Sequence, residues 1–207
     1  MSTLEDDIHF VRQLAESGTR APLLGGRFLV WWGGLIGLAY GAHFVLQEYP
    51  SLAPSVGFAW LWIGFGVIAP LGYWLIGRHY PFRLPGSGSH GNQVDRVVWS
   101  TAGLMLLSLV LGAVLRVVLG DSPRQVFPWT VPGVFAGFAI AQFATGWIAQ
   151  NRLLKGAGLM AMVGVGASFA LVGHSFLFAF AAAGTLLTVF VPGVVLWREE
   201  SGSLEPE

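Results

Sequence analysis

The stretch GAGLMAMVGVGASFALVGHSFLFAFAAAGTLLTVFVPGVVLW, residues 156–197, contains no Asp, Glu, Lys or Arg. As one helix rising about 1.5 Å per residue it would measure roughly 63 Å, about twice the ~30 Å hydrocarbon thickness of a bilayer. The stretch therefore predicts two membrane crossings joined by a tight turn. His174, near its middle, is the one side chain in it that titrates near neutrality.

Composition places the whole chain in the same class. In 207 residues, 54% are hydrophobic, 11% are charged and the mean hydropathy is +0.65, whereas a soluble domain carries about 25% charged residues. A net charge of zero argues against nucleic-acid binding, which needs a concentrated basic face. The absence of Cys removes disulfides and thiolate metal sites. The acidic N-terminus precedes no apolar run, so no cleavable signal peptide is expected.

Uncharged windows bounded by charges predict six spans of bilayer length, at about 28–47, 57–77, 97–118, 127–149, 157–173 and 175–197. Backbone polar groups in lipid must be satisfied within a segment, and the alternation of barrel strands is absent, so these spans are predicted to be helices. The predicted fold class is an all-α polytopic integral membrane bundle of six transmembrane helices over 27–207. A cytoplasmic linker is expected over 78–95. No Asp or Glu falls within a predicted span.

The basic residues predict the orientation of the bundle. With the N-terminus inside, nine of the eleven lie on the cytoplasmic side, in agreement with the positive-inside rule: Arg12, Arg20, Arg27, Arg78, Arg83, Arg96, Arg152, Lys155 and Arg198. Arg116 and Arg124 lie outside. Both termini are therefore predicted to be cytoplasmic.

Residues 1–26 are predicted to form a cytoplasmic amphipathic helix and a linker. Within 3–17, Leu4, Ile8, Val11 and Leu14 share one helical face. Such a helix can lie on the inner leaflet or against the bundle, or it can dock a cytoplasmic protein partner. The pattern leaves both interpretations open.

Small residues recur at four-residue spacing in two spans, which is the pattern of a glycine zipper. Gly33, Gly37 and Gly41 do so in the first span, and Gly133 and Gly137 in the fourth. Such ridges let helix backbones approach closely. They predict tight packing, either within the chain or between chains, so that a homo-oligomer is plausible alongside contact with the lipid bilayer.

Three basic side chains, His43, His174 and Arg116, are predicted to lie at similar depth in the outer leaflet and could form one site. Ionisable groups in a membrane are costly enough to suggest function. Paired imidazoles suit haem iron or a divalent metal, and an Arg suits an anion or a haem propionate. In the alternative interpretation, Arg116 snorkels towards Asp121 and His174 meets the headgroups in a turn. His79 and His90 flank the linker, but two imidazoles without Cys or a clustered carboxylate do not predict a metal site.

Residues 10–16 (FVRQLAE) and 21–30 (APLLGGRFLV) resemble the opening of small uncharacterised bacterial inner-membrane proteins. The resemblance implies a bacterial cytoplasmic membrane location and no activity. Because no span contains a nucleophile with its base or a carboxylate pair, enzyme activity is not expected. The sequence favours a membrane scaffold or partner-binding module. The alternative is a haem-binding, metal-binding or small-solute transport protein using His43, His174 and Arg116.

Overall fold

A computed structural model describes residues 23–52, 57–79 and 87–202, and these ranges contain helices and no strand. Six helical segments are long and apolar enough to cross a membrane, which confirms the all-α, multi-pass fold. The helices are α1 Gly26–Glu48, α2 Gly57–His79, α3 His90–Val118, α4 Pro123–Val126, α5 Thr130–Ile148, α6 Arg152–Ala170, α7 Leu177–Thr185 and α8 Val191–Gly202. The π-helical turn Leu186–Phe190 joins α7 to α8, so that together they form the sixth span. The predicted amphipathic helix over 3–17 lies outside the described residues.

Helix α3 begins at His90, seven residues before the predicted third span and inside the predicted linker. Ser89 caps it, because its hydroxyl oxygen accepts a hydrogen bond of 3.3 Å from the backbone N–H of Asn92. The first two turns are polar, so hydropathy alone did not reveal them. Asp95 consequently lies within a membrane-spanning helix, and Glu200 lies within the sixth span. The expectation that the spans contain no carboxylate was wrong.

The helices pack in the spatial order α2, α1, α7–α8, α6, α5 and α3. Of the most apolar window of each span, 61% of the residues are buried in the fourth, which contains α5, but 6% in α2 and 11% in α3. The span that contains α5 is therefore the most buried of the six, and Phe135 and Phe138 on its inner face belong to the main hydrophobic core. The peripheral helices α2 and α3 present apolar side chains outward, as lipid contact requires.

The two glycine ridges face different helices of the same chain. A methyl group built on Gly33 would lie 2.6 Å from the backbone nitrogen of Phe190, in the π-helical turn, and Gly37 faces Leu186 of the same turn. Gly41 is in looser contact, 3.9 Å from Ala182 by the same construction. Gly133 and Gly137 lie instead against Leu109, Met105 and Leu106 of α3. The ridges thus bring α1 close to the sixth span and α5 close to α3.

Candidate functional site

His43 on α1 lies in an aromatic cage formed by side chains of two neighbouring helices, α2 and α7. Its Nδ1 accepts a hydrogen bond of 3.0 Å from the indole N–H of Trp62 on α2. The ring of Phe178 on α7 lies 3.7 Å from the imidazole centroid, and that of Phe58 lies 4.8 Å away. A nitrogen that accepts from an indole carries no proton, so Nε2 is the protonated nitrogen of the neutral ring. The cage therefore holds His43 in one orientation.

The other two residues of the predicted outer-leaflet site have different surroundings. Arg116 is 64% exposed at the end of α3, and its Nε lies 2.6 Å from Oδ2 of Asp121. His174 is exposed in the turn between α6 and α7, where its backbone N–H donates to the carbonyl of Leu171 at 2.9 Å. Among the described residues no recorded contact joins His43, His174 and Arg116, and no group of three His, Asp or Glu residues could hold a metal. A shared ligand for these residues stays a prediction.

At the opposite end of the bundle, five consecutive residues fix the start of α1. We call residues 23–27 the anchor segment. Leu23 is buried in the core, and the backbone N–H of Leu24 donates to Oδ1 of Asn92 on α3 at 2.8 Å. Gly25 lies against the Asp95 carboxylate and Gly26 against the backbone of α8. The anchor segment is thereby held between α3 and α8.

The fifth anchor residue forms a buried ion pair. The guanidinium Nε of Arg27 lies 3.3 Å from Oε1 of Glu200 on α8, with 13% and 2% of the two side chains exposed. The guanidinium also lies 5.8 Å from the ring centroid of Trp197, within cation–π range. The pair joins the first and last spans, so both ends of the described chain lie at the same end of the bundle.

A second polar feature lies inside the bundle, beside the π-helical turn of the sixth span. Pro192 has no backbone N–H, so the carbonyl of Thr188 lacks its usual donor four residues ahead. The side chain of Gln142 supplies one instead, since its Nε2 donates to that carbonyl at 2.5 Å. Gln142 is fully buried, and its Oε1 has no hydrogen-bond partner among the described residues. The buried amide therefore supports the π-helical turn at the point where Pro192 withholds a backbone donor.

Thr145 lies one helical turn beyond Gln142 on α5, and it is next to a buried carboxylate. Asp95 is 9% exposed and is flanked by the side chains of Thr145 and Trp99. The Thr145 hydroxyl faces this carboxylate without completing a well-aligned hydrogen bond. We call Asp95, Thr145 and Gln142 the polar line. It runs inward from the end of the bundle that carries the anchor segment.

Sequence reasoning missed Asp95 and Glu200 as buried groups. The sequence did carry a signal for Gln142. It is the only Gln in the predicted fourth span, and no charged residue lies within four positions of it. The burial of Asp95 depends on where α3 begins and on Gly25 across from it. A hydropathy profile predicts neither the start of α3 nor the position of Gly25 relative to Asp95.

Comparison with protein-family models, with curated proteins and with solved structures found no significant match to this chain.

Proposed function

We propose that the protein is a non-enzymatic membrane scaffold that binds a cytoplasmic protein through its N-terminal segment. The observation that carries the proposal is the anchor segment, in which five successive residues contact other helices. Such contacts fix the position of Leu23, the residue to which the N-terminal segment is joined. A rigidly positioned amphipathic segment loses less conformational entropy on binding than a freely moving tail does.

The same proposal includes a location. We propose that the protein lies in a bacterial inner membrane with both termini in the cytoplasm. The nine-to-two distribution of basic residues supports this orientation. The chain has no Cys, so Ser2→Cys and Ser203→Cys variants each carry a single label. A membrane-impermeant maleimide should label both variants in inverted vesicles and neither in intact spheroplasts.

Partner binding is tested by photo-crosslinking in living cells. A photoreactive amino acid at Ile8, on the apolar face of the N-terminal segment, should give a protein adduct of one discrete mass. The matched control position is Asp6, on the polar side of the same segment, and should give none. Asn92→Ala removes the acceptor of the Leu24 N–H and should weaken the Ile8 adduct. Lipid adducts alone from Ile8 would refute the proposal.

A further inference from the structure

The polar line places three kinds of oxygen in the interior of the bundle. The carboxylate of Asp95 lies beside the hydroxyl of Thr145, and the amide of Gln142 is one turn away on α5. Thr145 and Gln142 are at most 1% exposed. They lie three residues apart on the inner face of α5, which places their side chains on adjacent turns of one helix. Asp95 reaches the same face from α3. All three groups are hydrogen-bond acceptors.

These oxygens are incompletely satisfied by the described protein groups. Gln142 has its amide nitrogen committed to the Thr188 carbonyl, which leaves Oε1 buried without a donor. Thr145 has a hydroxyl that completes no aligned hydrogen bond. Buried polar groups in native proteins are nearly always paired, and an unpaired one is destabilising. A ligand that accepts electron pairs from oxygen is therefore called for.

The charge balance indicates which ligand. The polar line carries one carboxylate, and among the described residues Arg96, whose side chain is exposed, is a cation that acts on it. Hard cations prefer oxygen ligands. One negative charge with neutral hydroxyl and amide oxygens balances a monovalent ion better than a divalent one.

We propose that Asp95, Thr145 and Gln142 bind a Na⁺ ion between α3 and α5. The ion enters from the end of the bundle that carries the anchor segment, where Asp95 lies nearest the surface of the membrane. Its coordination neutralises the buried carboxylate and satisfies the two orphan oxygens. The site stands independently of partner binding, because it uses none of the first 22 residues.

The test measures ²²Na⁺ binding to the purified full-length protein in mild detergent, together with its thermal unfolding followed by Trp fluorescence. We expect saturable binding that excess unlabelled Na⁺ displaces and choline does not. The melting temperature should rise with NaCl at constant ionic strength, since at one hundred times Kd the ratio of folded to unfolded protein increases about hundredfold. Asp95→Asn and Thr145→Val should each lose both responses.

Two Thr→Val controls keep the test decisive if Asp95→Asn does not fold. Thr145→Val removes a hydroxyl that makes no aligned hydrogen bond, so it should fold and lose Na⁺ binding. Thr185→Val removes another buried hydroxyl without a partner, one that lies outside the polar line, and Thr101→Val removes an exposed one. Both controls should bind Na⁺ normally. Equal stability in NaCl and choline chloride, or unchanged ²²Na⁺ binding by Thr145→Val, would overturn the proposal in favour of buried water.

Discussion

Replacement of Gly33 by Ala tests the close packing between α1 and the sixth span. The added methyl group would lie 2.6 Å from the backbone nitrogen of Phe190, about 0.8 Å short of the 3.4 Å of ordinary contact. Because the obstacle is backbone, no side-chain rotation relieves it and the two helices must separate. Overpacking of this kind destabilises proteins by about 1–3 kcal/mol.

Gly66→Ala is the matched control, since Gly66 is also helical but has nothing within 4 Å of its added methyl group. The gain in helix propensity from Gly to Ala, about 1 kcal/mol, is common to both variants and cancels in their comparison. We therefore expect Gly33→Ala to be less stable than Gly66→Ala by about 1–3 kcal/mol.

The free energy of unfolding can be measured by titrating the protein with sodium dodecyl sulfate in mixed micelles, with far-UV circular dichroism as the signal. Separation of α1 from the sixth span should also change the Trp fluorescence of the folded state. If Gly33→Ala and Gly66→Ala unfold at the same detergent fraction, the helices are not in backbone contact at Gly33 and the reasoning is refuted.

Three further outcomes follow from individual contacts. Gln142→Leu should destabilise the protein by about 1–3 kcal/mol, since it leaves the buried carbonyl of Thr188 unpaired. Adding Pro192→Ala to that variant should recover part of the loss by restoring a backbone donor. Strictly additive effects of the two substitutions in a double-mutant cycle would contradict this. Arg27→Ala should cost about 3–5 kcal/mol because it breaks a buried ion pair, whereas Arg116→Ala, in an exposed pair, should cost at most about 1 kcal/mol; equal unfolding free energies would show that burial is irrelevant here. Trp62→Phe keeps a ring but loses one N–H donor, so its unfolding free energy should fall by about 0.5–1.5 kcal/mol, and an unchanged value would mean that the hydrogen bond contributes nothing.

The number and positions of the spans were predictable because hydropathy is a local property. The described helices begin and end within a few residues of the predicted spans, with α3 as the exception. Its first two turns are polar and are helical because Ser89 caps them. A capped polar extension cannot be distinguished from a loop by counting apolar residues.

The candidate site was less predictable. His43, His174 and Arg116 stand out in a sequence because charged and titratable residues are rare in membrane spans. The polar line does not stand out, since Thr145 and Gln142 are uncharged and Asp95 lies beside the predicted third span. Its members come together through the packing of α3 against α5, and helix pairing depends on contacts far apart in the chain.

The sequence by itself determined that this chain is an all-α membrane protein with six spans, because a long apolar segment in lipid can satisfy its backbone only as a helix. It also marked Gly33 and Gly137 as candidate points of close approach, since small residues at four-residue spacing let helices come near each other. The tertiary structure alone decided which helices meet at those points, and that Arg27 pairs with Glu200 across the bundle. It likewise decided that Gln142 donates a hydrogen bond to the carbonyl of Thr188, which has no backbone donor at Pro192. These choices depend on distances between helices, which no local pattern of residues encodes.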